Sequence, residues 1–195
     1  MKLNEIREKL KSRKVGVAGA GGLGSNCAAA LVRTGVGKIV IADFDVVSEE
    51  NLNRQYYFFD QIGEKKTSAI RTNLLKINPS ADVTVHDIRL TKANISDLFH
   101  DCDVIVEAFD QADQKEMLIE TVLAEMPDKY LVVGLGMAGW GMNETIHCRQ
   151  SGRMFICGDG ISEIGPELPP IAPRVGMVAN MQANVVLELL LNPEN

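Results

Sequence analysis

Cysteine is scarce here. The four residues, Cys27, Cys102, Cys148 and Cys157 among 195, include no pair with the two-residue gap of a zinc knuckle or a dithiol redox motif. That excludes a zinc ribbon and a thioredoxin-like centre, and it suits a reducing compartment, so a cytoplasmic protein without zinc is expected. Cys27 and Cys102 stand in apolar contexts and are expected to be inert core thiols. His86, His100 and His147 are dispersed and form neither a metal-ligand nor a catalytic pattern. No apolar run approaches the roughly 20 residues of a membrane span. The opening "MKLNEIREKLKSRK" has no apolar core ahead of a cleavage site, so it does not read as a signal peptide. A basic surplus is missing too. Asp and Glu number 26 against 20 Lys and Arg, a net charge of -6, which argues against non-specific binding of nucleic acid. The bases are scattered apart from Lys9, Lys11, Arg13 and Lys14.

The chain does have apolar bulk, 46% of residues, enough to bury a full core in one domain. Strand and helix signals alternate along it. Leu3, Ile6 and Leu10 predict a short amphipathic helix over 3–12. Strands are expected at 14–19, 38–43, 82–88, 103–110 and 129–136. Helices are expected at 22–35, 63–79, 94–102 and 111–126. This order predicts an α/β fold, a Rossmann-like doubly wound and mainly parallel sheet over 14–136. Past Gly136 the pattern changes. Residues 144–159 read as two short strands joined at Ser151–Gly152, expected as antiparallel additions to the sheet. A Pro- and Gly-bearing loop (160–173) and a closing amphipathic helix (174–191) follow, completing a single domain over 1–195.

The first strand runs into "GAGGLGS". Gly19 permits a tight turn, Gly21 lets backbone approach a phosphate, and Gly24 lets helix and strand pack closely, with free helix N–H groups facing an anion. No Gly-Lys-Ser/Thr follows, so this is not a P-loop. Asp43 closes the second strand, nineteen residues after Gly24, and suits ribose hydroxyls. Asp45 is either a second ligand or a solvated loop acid. The stretch "IADFDVVSEENLNRQYYF" then supplies Arg54 and Gln55 after a turn at Glu49–Asn51, and Lys66 opens a helix eleven residues beyond Gln55. Redox chemistry on a nicotinamide has no use for these cations. A triphosphate does, because guanidinium and ammonium groups neutralise its charge. Asp110, in "VEAFDQADQ", falls beyond a strand's carboxyl end and is either a magnesium ligand or a helix N-cap.

In this order "GAGGLGS", "DFDVVSEENLNRQ", "IGEKK", "AFDQ" and "APRVGMVANMQANVVLELL" resemble the ThiF/MoeB type of ubiquitin-activating-like adenylyltransferase over roughly residues 12–192. The short length and the run "GMAGWGMNETIHCRQSGRMFICGD" look most like the compact second branch of ThiF-like thiamine-biosynthesis proteins. The resemblance implies that Gly19, Gly21, Gly22 and Gly24 form the nucleotide loop and that Asp43 holds the ribose. Asn51, Arg54 and Gln55 would position and polarise the phosphates of ATP, Lys66 would neutralise their charge, and Asp110 would bind Mg2+. It further implies a homodimer that activates the C-terminal Gly-Gly carboxylate of a ubiquitin-fold sulfur carrier, ThiS-like, as an acyl-adenylate with release of pyrophosphate.

The sequence also departs from that family. Its paired-cysteine zinc motifs are absent, and its N-terminal arginine segment is not recognisable, with Arg7 and Arg13 as the replacements on offer. Gln111 stands where Asn usually follows the aspartate. Cys157, in "ICGDG", is either a covalent sulfur-transfer residue or a strand-buried thiol. Trp140 and Met142, between glycines, either line a channel for the carrier's tail or pack in the core or the loop. Two other readings compete. A nicotinamide oxidoreductase explains the glycines and Asp43 but leaves Arg54, Lys66 and Asp110 idle. A non-catalytic nucleotide-binding scaffold for a carrier protein accounts for the missing motifs but not for the retained phosphate residues.

Overall fold

The computed structural model describes residues 1–192. Its spine is a seven-stranded sheet in the order β3-β2-β1-β4-β5-β7-β6. The strands are β1 (Lys14–Ala18), β2 (Lys38–Asp43), β3 (Asp82–Asp87), β4 (Val104–Glu107), β5 (Tyr130–Gly134), β6 (His147–Ser151) and β7 (Met154–Gly158). The helices are α1 (Leu3–Leu10), α2 (Gly22–Thr34), α3 (Lys66–Ile77), α4 (Lys92–Phe99), α5 (Ala112–Glu125) and α6 (Ala172–Leu191). Strand residues alternate between two buried faces, which is why the central strands read as continuous apolar runs. Val15, Val17, Ile39, Ile41, Val104, Val106 and Val132 pack under α2, α3 and α6. Val40, Ala42, Ile105, Leu131 and Val133 pack under α4 and α5. Cys27 lies in the first layer and Cys102 in the second, both fully buried, and burial pushes each thiol up to about 12. Among the described residues no helix is long and apolar enough to cross a membrane.

The doubly wound parallel core stands as expected, and its strand order reverses between β1 and β4. Such a reversal opens a crevice at the strands' carboxyl ends. One expectation about the additions needs correcting: only β6 is antiparallel, whereas β7 pairs parallel to β5. Crossing from β5 through β6 brings the chain back in β5's own direction, so the hairpin extends the parallel sheet and ends it with one reversed edge.

Several boundaries move for local reasons. The helix expected from Gly63 starts only at Lys66. Gly63 turns at φ 89°, and the Lys65 backbone bridges Val46 before the helix can begin. β4 stops at Glu107 instead of Asp110, because the Glu107 carboxylate accepts the Phe109 N–H at 2.7 Å and turns the chain. The helix read at 94–102 runs earlier, over Lys92–Phe99, with the Asn94 side chain capping the Thr91 N–H at 2.8 Å. α1 ends at Leu10, whose carbonyl accepts the N–H groups of Arg13 and Gly37 as the chain enters β1.

Candidate functional site

The strand carboxyl ends border a cleft of about 710 Å³, within the range of small-molecule sites. Its floor is the glycine turn between β1 and α2. Gly19 adopts φ 99°, and a Cβ at Gly24 would run into the Gly19 carbonyl, so both positions require glycine. At Gly21 a Cβ would point into open space, with only the Gln55 amide 3.8 Å away. Gly19, Gly21 and Gly22 line the cleft, while Gly24 lies behind them and lets α2 approach β1 and β4.

Asp43 and Asp45 stand at one wall. Asp43 accepts the Ala20 N–H at 2.7 Å and the Asp45 N–H at 2.8 Å, bracing the turn. Burial raises its pKa, and those two N–H groups and the nearby Lys66 ammonium counteract the rise. Asp45 is not simply a solvated acid. Its carboxylate pairs with Lys66 Nζ at 2.8 Å, holding a lysine side chain that is only 7% exposed. Sequence reasoning assigned Lys66 to phosphate without a protein partner in view, and the fold pairs it with Asp45.

The "NLNRQYY" stretch is fastened to α2 by side chains that sequence reading passed over. Asn26 donates to the Arg54 carbonyl at 2.8 Å, Ser25 Oγ accepts the Tyr56 N–H at 2.9 Å, and the Tyr57 hydroxyl donates to the Ala20 carbonyl at 2.7 Å. Arg54 is thereby held at the cleft, its guanidinium donating to the Glu50 carbonyl and to Asn53 Oδ1. Gln55 is buried beside it, and its Oε1 has no partner. An orphaned buried acceptor on a cleft wall marks a place for a ligand's donor. Asn51 does not line the cleft. Its side chain accepts the Ser48 N–H, and its carbonyl accepts those of Arg54 and Gln55, so it shapes the turn that presents them.

Asp110 is exposed on the opposite wall, three residues past β4, and among the described residues its carboxylate has no hydrogen-bond or ion-pair partner. It is not the N-cap of α5. Gln111 occupies that position, without a side-chain cap, and also lines the cleft. Beneath this wall lies a pair that sequence reasoning missed. Glu107 is fully buried, and Lys115 bonds both of its carboxylate oxygens, at 2.9 and 2.7 Å, and the Gly134 carbonyl at 2.8 Å. Burial raises the Glu107 pKa and the Lys115 ammonium opposes that rise. Arg89 was also missed. It lines the cleft with its guanidinium 4.5 Å from the centre of the Phe44 ring.

The roof comes from the segment after β5 and the loop after β7, which contribute Gly136, Met137, Ser162, Glu163 and Ile164. A buried ion pair joins the two. Arg174 bonds Asp159 at 2.6 Å, the carbonyls of Gly141 and Met142, and Thr145 Oγ1, while Asp159 also accepts the N–H groups of Ile161 and Ser162. Trp140 and Met142 are 65% and 49% exposed on this roof, so neither packs into the core. Arg7 and Arg13 do not line the cleft; Arg13 pairs with Asp103 at 3.3 Å beside the opposite end of the sheet. Among the described residues no group of three or more His, Cys, Asp and Glu is placed to hold a metal ion. A divalent ion here would need ligands beyond the protein, which fits Mg2+ carried on phosphates with one or two carboxylates.

Residues 3–195 match the ThiF family. The chain belongs to that family. The probable adenylyltransferase/sulfurtransferase MoeZ of Mycobacterium tuberculosis is 33% identical over 186 residues, covering 94% of this chain and 45% of MoeZ. The adenylyltransferase and sulfurtransferase UBA4 of Eremothecium gossypii is 31% identical over 180 residues, covering 92% of this chain and 38% of UBA4. This ThiF-family chain thus spans less than half the length of those relatives. Among solved structures, the AMP complex of E. coli TcdA, a tRNA N6-threonylcarbamoyladenosine dehydratase, superposes with a TM-score of 0.86 at 20% identity, over 97% of this chain and 90% of that one. At that identity the likeness concerns the fold.

Proposed function

We propose that this ThiF-family protein is an ATP-dependent adenylyltransferase acting on the C-terminal glycine carboxylate of a ubiquitin-fold sulfur carrier, ThiS-like, in thiamine thiazole biosynthesis. The observation that carries the reading is convergence. The open glycine turn, Arg54, the orphaned Gln55 acceptor, Lys66 and the unpartnered Asp110 line one cleft at the carboxyl ends of the strands. The names of MoeZ and UBA4, both adenylyltransferase and sulfurtransferase, support the same chemistry.

ATP fits as the substrate, with its ribose toward Asp43 and its phosphates over the α2 N-terminus, where unpaired N–H groups favour an anion. The carrier's carboxylate attacks the α-phosphorus, a P–O bond forms, and the bond to the pyrophosphate oxygen breaks. No proton needs to move. The cleft's task is therefore to hold the two anions together and offset their charge. Arg54 and Lys66 serve this role, with Asp45 positioning Lys66 and yielding part of it to phosphate. Asp110 would hold a Mg2+ ion, which when bound would supply further neutralisation of phosphate charge. The resemblance to the family also leads us to propose a homodimer as the working form, and a monomeric mass by light scattering at micromolar concentration would count against it.

The decisive experiment is isotope exchange between pyrophosphate and ATP, with a carrier ending in Gly-Gly, with tRNA, or with neither. Exchange that depends on the carrier is expected. Exchange stimulated only by tRNA, or none with any carrier while ATP still binds, would reject the reading.

A further inference from the structure

Two thiols face each other on the edge hairpin, away from the residues assigned above. Cys148 on β6 is the direct cross-strand partner of Cys157 on β7, and their sulfurs lie 4.0 Å apart. The register explains the closeness. A two-residue turn, Gly152–Arg153, separates Ser151 from Met154, and such a hairpin closes on a hydrogen-bonded pair. Pair types alternate from there through Gln150–Phe155 and Arg149–Ile156, which makes Cys148–Cys157 a non-hydrogen-bonded pair. That type brings facing Cα atoms nearest, to about 4.5 Å, within the span a disulfide bridges. The two thiols also differ in access, since Cys148 is exposed and Cys157 is fully buried. The other two cysteines, Cys27 and Cys102, are buried as well, so Cys148 is the only one that solvent reaches freely.

We propose that Cys148 and Cys157 form a thiol–disulfide exchange site that takes a small-molecule disulfide as its oxidant. The Cys148 thiolate attacks one sulfur of the disulfide, forming a mixed disulfide and expelling one thiolate. That thiolate takes up a proton. Cys157 then gives up its own proton and attacks Cys148 Sγ, breaking the mixed disulfide and expelling the second thiolate, which is protonated in turn. The protein's two thiols are oxidised to one disulfide and the small disulfide is reduced to two thiols. Burial raises the Cys157 pKa, which lowers the fraction of thiolate available for the second step. The bridge would close two residues before Asp159, which anchors the roof of the cleft.

The test treats the reduced 195-residue chain with oxidised glutathione, quenches by alkylation at intervals, and maps peptides by mass spectrometry. Wild type is expected to pass through glutathionylated Cys148 to a Cys148–Cys157 cross-link, with Cys27 and Cys102 still alkylatable after denaturation. Cys157→Ser and Cys157→Ala, the second included in case a hydroxyl at this buried position prevents folding, should both stop at the mixed disulfide. Its lifetime should exceed that in wild type by about tenfold or more. Cys148→Ser should take up no glutathione. A mixed disulfide that persists in wild type as long as in Cys157→Ala, or a cross-link joining any other pair, would overturn the proposal, as would failure of Cys148 to react.

Discussion

Arg54, Lys66 and Asp110 face the cleft from separate elements, and in the proposed reaction they meet the charge that builds on the phosphates as the carboxylate attacks phosphorus. An interaction made mainly in the transition state lowers turnover more than ground-state affinity when removed. Each alanine variant is therefore expected to cut carrier-dependent pyrophosphate exchange by about a hundred- to a thousandfold, roughly 3–4 kcal/mol. Asp43→Ala should chiefly raise KM for ATP, because the proposed ribose contact would be equal before and during reaction. Near-normal exchange in Lys66→Ala and Asp110→Ala would sink this account. Lys115 behaves differently although it lines the same cleft. Its donors are engaged by Glu107 and Gly134, so it braces the wall and has none to offer a phosphate. Lys115→Met strands a buried carboxylate and should destabilise the fold by about 3–5 kcal/mol in urea titrations. Adding Glu107→Gln should restore most of that, since a neutral amide still accepts the Phe109 N–H. A double variant no more stable than Lys115→Met would show the pairing to be irrelevant. Arg54, Gln55 and Lys66 were legible in the sequence because they share one short stretch in register with the glycine turn. The Glu107–Lys115 pair was not, because a strand residue and a helix residue meet only once the turn between them has formed.

At the level of elements, periodicity exposed the strands and helices, while their ends were set by contacts that no local pattern carries. The carbonyl of Asp45 takes the Lys66 N–H and sets where α3 begins, and the Glu107 side chain ends β4. The direction of β7 likewise depended on its pairing with β5, not on its own residues. The roof shows the same limit. Arg174 reads as the first turn of an amphipathic helix, yet it is the side chain that fastens the segment after β5 to the loop after β7. This clasp predicts a pH dependence. Burial alone would raise the Asp159 pKa, but the N–H groups of Ser162 and Ile161 and the Arg174 guanidinium outweigh it and hold the carboxyl well below the usual range. A depressed carboxyl adds stability that is complete above its unfolded value of about 3.8 and is lost as pH falls below that value. Asp159→Asn should therefore be less stable than wild type at pH 7 by about 3–5 kcal/mol, and the two should converge as pH drops below about 4. Asp43 and Glu107 act in the opposite sense, because burial raises both. A gap between wild type and Asp159→Asn that stayed constant down to pH 2–3 would mean that the clasp gains nothing from charge.

Across the whole molecule, the two helical layers share the same strands. Val15 and Val17 pack into one layer while Ala18, one residue on, packs into the other, so neither layer can lose its sheet and leave the other intact. Thermal unfolding is accordingly expected as one calorimetric transition, with calorimetric and van't Hoff enthalpies equal. The cleft draws on elements from both layers: α2, the start of α3, the start of α5 and the roof before α6. A nucleotide there should stabilise the molecule as a unit. At a free ATP concentration about a hundredfold above Kd, binding to the native state alone adds about 2.7 kcal/mol. For a chain of this size that corresponds to a rise in Tm of roughly 5–10 °C. The variants should then divide by role. Asp43→Ala should lose most of the ATP-dependent shift at the same ATP concentration, because it weakens ground-state affinity. Arg54→Ala should keep a large part of the shift while losing turnover. NAD should give no shift, since the cleft's Arg54, Lys66 and unpartnered Asp110 suit a triphosphate with its metal ion. Two resolved transitions, with ATP moving only one of them, would refute the shared-sheet argument. A shift with NAD and none with ATP would refute the assignment of the cleft.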